Sequence, residues 1–109
     1  MRKLFEAEKP IVKFLLNRAN LSVNIDELLV SNMSDGGMGS LFIGENNTLR
    51  TFGEKISECS FNGIDGVLVS ATLNLDQNGD LFEIDIWKTN FSPLLKWPNE
   101  SDIVAGAMQ

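Results

Sequence analysis

Glu83, Asp85 and Trp87 are spaced by two in Leu81-Phe82-Glu83-Ile84-Asp85-Ile86-Trp87-Lys88. In an extended strand that spacing puts all three side chains on one face, so two carboxylates and an indole become neighbours. Neighbouring carboxylates can act as general acid and base when burial drives their pKa values apart. Exposed, the same row can receive a cationic partner with the indole as its aromatic anchor. On a plain solvated face the acids would instead pair with a cation on the next strand, such as Lys55. Ser34-Asp35-Gly36-Gly37-Met38-Gly39-Ser40 brings three glycines together, as phosphate-cradling loops do. Such a loop must open a helix for its N–H groups to converge on the anion, and here Ser40-Leu41-Phe42-Ile43 reads as a strand. Asp35 would also repel a phosphate, so a turn is expected, one that lets a partner approach the backbone closely. Asp76-Gln77-Asn78-Gly79-Asp80 with Glu83 has calcium-type oxygens. Its glycine and its Glu fall at the wrong places for a full calcium loop, and Asn-Gly between strands signals a hairpin. Cys59 has Glu58 beside it and no His to act as its base, which suits a small core residue rather than a nucleophile.

Composition narrows the chemistry further. The 109 residues include no His, which removes imidazole ligands, His general bases and Ser-His triads. One Cys excludes an internal disulfide and a Cys-rich zinc site. Fifteen acids against nine bases give a net charge of −6, the wrong sign for a general phosphate-backbone binder or an anionic membrane. Met1-Arg2-Lys3-Leu4-Phe5 imitates the basic start of a signal peptide. Glu6, Glu8, Lys9 and Lys13 then interrupt any apolar run, and no stretch has the length of a membrane span. A cytoplasmic location is expected.

The elements that must position these residues follow from periodicity. Leu4, Phe5, Ile11, Val12, Leu15, Leu16 and Ala19 recur at helical spacing. Pro10 is tolerated only in a first turn, so the helix should start between Ala7 and Lys9, with Glu6 and Glu8 favoured there by the dipole. Beyond Ile25, β-like runs cover 28–33, 38–43, 55–61, 67–75 and 81–88; three of the connections are turns of hairpin length, which require antiparallel neighbours, and Gly44-Glu45-Asn46-Asn47 reads as a loop. Val67, Val69, Ala71, Leu73 and Leu75 form one apolar row. Phe82, Ile84 and Ile86 form another, with Leu81, Glu83, Asp85 and Trp87 opposite. Phe91 to Leu95 and Trp97-Pro98 read as a closure over the core edge, Pro93 and Pro98 blocking further strand pairing.

The motifs Asp35-Gly36-Gly37-Met38-Gly39-Ser40-Leu41 and Leu81-Phe82-Glu83-Ile84-Asp85-Ile86-Trp87-Lys88-Thr89-Asn90-Phe91-Ser92-Pro93-Leu94 resemble a family of small bacterial proteins of unassigned function. Its members open with a short helix after an Arg-Lys-Leu start, and the likeness spans roughly Arg2 to Pro98. Some such acidic proteins are associated with secreted-toxin systems, so the resemblance implies an immunity role and carries no catalytic residues.

The expected fold is α+β: an N-terminal helix packed on an antiparallel meander sheet of about five strands. One domain covers residues 1–109, with 99–109 a mobile tail unless Ile103 and Val104 dock. The leading function is a non-enzymatic interaction module that meets a protein with a basic surface. Its contact residues are Glu83, Asp85 and Trp87, with Asp35 and Met38 in the adjacent loop. No nucleic acid, membrane, cofactor or metal is expected. One alternative is a small-ligand site or carboxylate-dependent enzyme in a cup between helix and curved sheet, lined by Trp87. Another is a homo-oligomer joined at an edge strand.

Overall fold

A computed structural model describes residues 1–106 of the chain. Helix α1 spans Lys9–Arg18 and follows a 3-10 turn at Glu6–Glu8, which agrees with the start expected from Pro10. Pro10 lies in the first turn, where its missing N–H would have no partner anyway. The Glu8 carboxylate reaches back to accept the Phe5 N–H at 2.8 Å, satisfying a donor at the start of the turn. At the other end Asn20 takes a left-handed φ of +58°, a conformation Asn tolerates, and the helix stops.

Seven strands form one antiparallel sheet: β1 Arg2–Lys3, β2 Leu29–Asn32, β3 Leu41–Ile43, β4 Phe52–Asn62, β5 Leu68–Asp76, β6 Leu81–Lys88 and β7 Val104–Ala105. Their order is β1-β2-β3-β6-β5-β4-β7. The expected hairpins β2–β3, β4–β5 and β5–β6 are all present. The count of about five and the meander order are corrected. β1 and β7 have two residues each, too few to display an alternation, and they exist only through their pairing with β2 and β4. In a meander β3 would lie beside β4. Instead β6 enters between β3 and β5, pairing Leu41 with Ile84 and Phe42 with Glu83. The connection from β3 to β4 is held by Arg50, whose guanidinium donates to the Ile43, Glu45 and Leu81 carbonyls at 2.7, 2.7 and 2.6 Å. It also bonds the Asp76 carboxylate at 3.0 Å.

The helix covers one face of the sheet. Ile11, Val12, Leu15 and Leu16 pack against a core that includes Cys59, Phe61, Val69, Ala71, Leu73, Ile84 and Ile86. Each such aliphatic side chain contributes roughly 1.5–3 kcal/mol on full burial, which makes this layer the main stabilising element. A register shift between Asn74 and Leu75 pairs Leu75 with Leu81 and Asn74 with Glu83, leaving Phe82 as the extra residue of a bulge. The simple alternation expected for β6 therefore fails at its start. Leu81 packs on the core, whereas Phe82 leaves it to lie 6.2 Å from the Phe42 ring and beneath the Arg50 guanidinium.

The segment after β6 closes the edge of the core as expected through Leu94 and Trp97, but Phe91 and Leu95 stay exposed. Residues Glu100–Asp102 make a second 3-10 turn, Ile103 is buried in the core, and Val104 pairs with Ser60. Ile103 thus docks by its side chain and Val104 by backbone pairing alone, and residues 107–109 lie outside the described part.

Candidate functional site: the acidic sheet face

The face of the sheet opposite α1 carries the row singled out in the sequence. Glu83, Asp85 and Trp87 project together from it: Glu83 is half-buried, Asp85 is exposed, and Trp87 is 42% exposed. Pairing extends the row across the sheet. Asp85 stands opposite Thr72, which stands opposite Glu58; Trp87 continues through Ser70 and Ser60 to Val104. Glu83 accepts the Asn74 side-chain amide at 2.9 Å, which fixes its rotamer. The expected cross-strand pairing with Lys55 is not made: β5 separates β4 from β6, and Lys55 bonds Glu58 at 2.8 Å instead. Glu83 and Asp85 therefore have no cationic partner among the described ion pairs. Trp87 faces away from the helix, so it does not line any space between helix and sheet.

The glycine loop reaches the same face through Ser40. Its hydroxyl accepts the Ile86 N–H at 2.8 Å and lies 3.4 Å from the Asp85 carboxylate, so β3 continues along β6 by a side chain. Nothing in the sequence distinguished Ser40, because its role depends on β3 lying beside β6. Asp35 and Met38 are close in sequence to this contact but are turned to internal work. The Asp35 carboxylate accepts the N–H groups of Met38 and Ser40 at 3.1 and 2.9 Å. Partial burial pushes its carboxyl upward, yet the hydrogen bonds from Ser40, Gly39 and Met38 together hold it below the ordinary value. The Met38 sulfur accepts the Lys88 N–H at 3.4 Å. A Cβ on Gly39 would lie 3.0 Å from the Trp97 ring, so this glycine serves close packing under a φ of +106°.

Three charged groups escaped the sequence reading. Lys88 continues β6 but falls on the helix side, 1% exposed, with its ammonium 2.7 Å from the Asp65 carboxylate and 2.9 Å from the Pro93 carbonyl. Glu8, assigned to the helix dipole, is buried, and both of its oxygens accept from Arg2 at 2.8 and 2.9 Å. Asp76, read as a turn residue, is buried as well. One oxygen accepts the N–H groups of Asn78 and Asp80 and the other accepts from Arg50, which leaves the carboxylate committed to its own hairpin. Cys59 is fully buried, and burial pushes its thiol up to about 12, so it stays protonated. A cleft of about 210 Å³ lies beside the glycine loop, between Phe5, Glu8, Asn32, Asp35, Leu94 and Trp97. Its two carboxylates are those already engaged by Arg2 and by the loop's own N–H groups.

No helix among the described residues is long and apolar enough to cross a membrane. No curated protein and no solved structure matches the chain. A family model described as a domain of unknown function, DUF6984, matches residues 1–98, a span that holds α1, six of the seven strands and the whole acidic row. The chain therefore belongs to the DUF6984 family.

Proposed function

We propose that this protein is a non-enzymatic interaction module whose acidic sheet face binds another protein through a basic surface. The observation that carries this reading is the exposure of Asp85 and Trp87, side by side with Glu83, on the face that α1 leaves open. Among the described residues neither acid of the row is paired with an internal cation, and the whole chain carries −6, so a basic partner is steered toward it over a distance of about a Debye length. An indole beside Ser70 and Thr72 of the neighbouring strand supplies the apolar contact that such interfaces concentrate in a few residues. The concrete form we favour is an immunity-type protein of a bacterial cytoplasm that covers the basic active surface of a toxin. A sheet face holds its donors and acceptors rigidly, which suits a binding role that needs no chemistry.

The test is capture from the source organism's lysate at low and moderate salt, comparing wild type with Glu83→Lys/Asp85→Lys/Trp87→Ala. Circular dichroism must show both proteins folded. A stoichiometric basic protein retained by wild type, released by salt and lost from the folded variant is the expected result. Retention of the same protein by the variant would sink the assignment of this face.

A further inference from the structure

Phe91 is explained neither by the turn that contains it nor by the core. Its N–H closes a tight turn onto the Lys88 carbonyl at 2.8 Å, and its backbone takes a left-handed φ of +60°. That conformation favours glycine or asparagine and is an outlier for a bulky side chain. No burial offsets it, because Phe91 is 68% exposed. Glycine would make the same turn without strain, and a polar residue would suit the exposure. What the phenyl ring does contact is Trp87: the two ring centroids are 6.0 Å apart and tilted by 59°. The open face thus ends in a pair of exposed aromatic rings, and Asp85 stands two residues from Trp87 on the same side of β6.

We infer that Trp87 and Phe91 form a platform for an arginine side chain of a protein partner, with Asp85 as the carboxylate beside it. The inference rests on the acidic-face reading and names what that face grips. A cation is attracted to the faces of aromatic rings, and a neighbouring carboxylate adds directional acceptors. Arginine fits this combination better than lysine, since its planar guanidinium both stacks on a ring and donates in a fork to one carboxylate. The nearest cation along β6, Lys88, lies on the helix side and is engaged by Asp65, so it does not occupy the platform.

The probe is a capped peptide of alternating glycine and arginine, with lysine and glutamine versions alongside. The full chain is observed by two-dimensional NMR. Its two tryptophans give two indole N–H signals, and Trp87→Phe assigns them. The arginine peptide is expected to shift the Trp87 indole and the Phe91 amide saturably. The lysine version should do so more weakly and the glutamine version not at all. Phe91→Gly should leave the melting temperature unchanged or raised while weakening arginine-peptide binding roughly two- to fivefold. Three results would overturn the platform: an unmoved Trp87 signal, equal response to arginine and glutamine peptides, or wild-type affinity in Phe91→Gly. A clear fall in melting temperature for Phe91→Gly would do so as well, because it would make the ring a structural element. If Phe91→Gly captures the lysate partner as wild type does while Glu83→Lys/Asp85→Lys loses it, the acidic face stands and the aromatic platform falls.

Discussion

Lys88 shows how one side chain's surroundings decide its role. Its ammonium is buried and neutralised by Asp65, whose carboxyl is held below its ordinary value, first by the hydrogen bond from Lys88. Breaking such a pair from one side leaves an uncompensated charge, whereas replacing the buried member with an apolar residue removes the need for a partner. Asp65→Asn should therefore lower the denaturation midpoint more than Lys88→Met, although Asp65 is the more exposed residue. Chemical denaturation of the two variants beside wild type checks the order, and the reverse order would mean that packing of the lysine stem outweighs its charge. Alternation along β6 drew attention to Glu83, Asp85 and Trp87 and left Lys88, on the opposite side, unassigned. It could not show that Asp65, far away in sequence, would be waiting there.

At the scale of elements, the glycines separate into those that adopt a special φ and those that make room. Gly53 lies at a register shift in β4, and a Cβ there would come within 2.2 Å of the Asp76 carbonyl oxygen. Backbone cannot yield as a flexible side chain does, so Gly53→Ala should cost about 2 kcal/mol or more and disturb the β4–β5 pairing. Gly79→Ala meets nothing but keeps a φ of +84°, and should cost only about 1–2 kcal/mol. Equilibrium unfolding of both variants tests the contrast. The three hairpins were legible because Asp-Gly, Asn-Gly and two-glycine turns announce themselves between alternating runs. The bulge at Phe82 was not, since a bulge is defined by the partner strand's register, and that exists only in the folded sheet. The insertion of β6 between β3 and β5 was hidden for the same reason, and with it the contact of Ser40 with Ile86 and Asp85.

For the whole molecule, acid sensitivity follows from several carboxyls acting together. Asp35, Asp65 and Asp76 all have folded values below the ordinary 3.8. For Asp76 burial works against this, but the Arg50 guanidinium and the turn's own N–H groups prevail. A group with a depressed folded pKa binds fewer protons folded than unfolded. Its stabilisation is complete above the unfolded value and is lost as the pH falls through the folded one. The melting temperature should stay level down to about pH 5 and fall steeply below about pH 4. Asp76→Asn should be destabilised at neutral pH, with the gap to wild type narrowing in that acid window. A gap independent of pH would show that the Asp76 charge is not what stabilises the hairpin.

Local rules were enough for the helix start at Pro10, the three hairpins, the Val69, Ala71 and Leu73 part of the expected apolar row and the shared face of Glu83, Asp85 and Trp87, whereas Val67 and Leu75 stay out of the core. Each depends on residues only a few positions apart, where backbone geometry leaves few choices. The order of strands, the two short edge strands, the burial of Glu8, Asp76 and Lys88 and the approach of Phe91 to Trp87 came from tertiary structure. In the pairings and ion pairs that link distant segments, the partner is selected by which elements pack together. In Phe91 the backbone conformation of one turn, seen only in the fold, turns an expected closure residue into an exposed neighbour of Trp87.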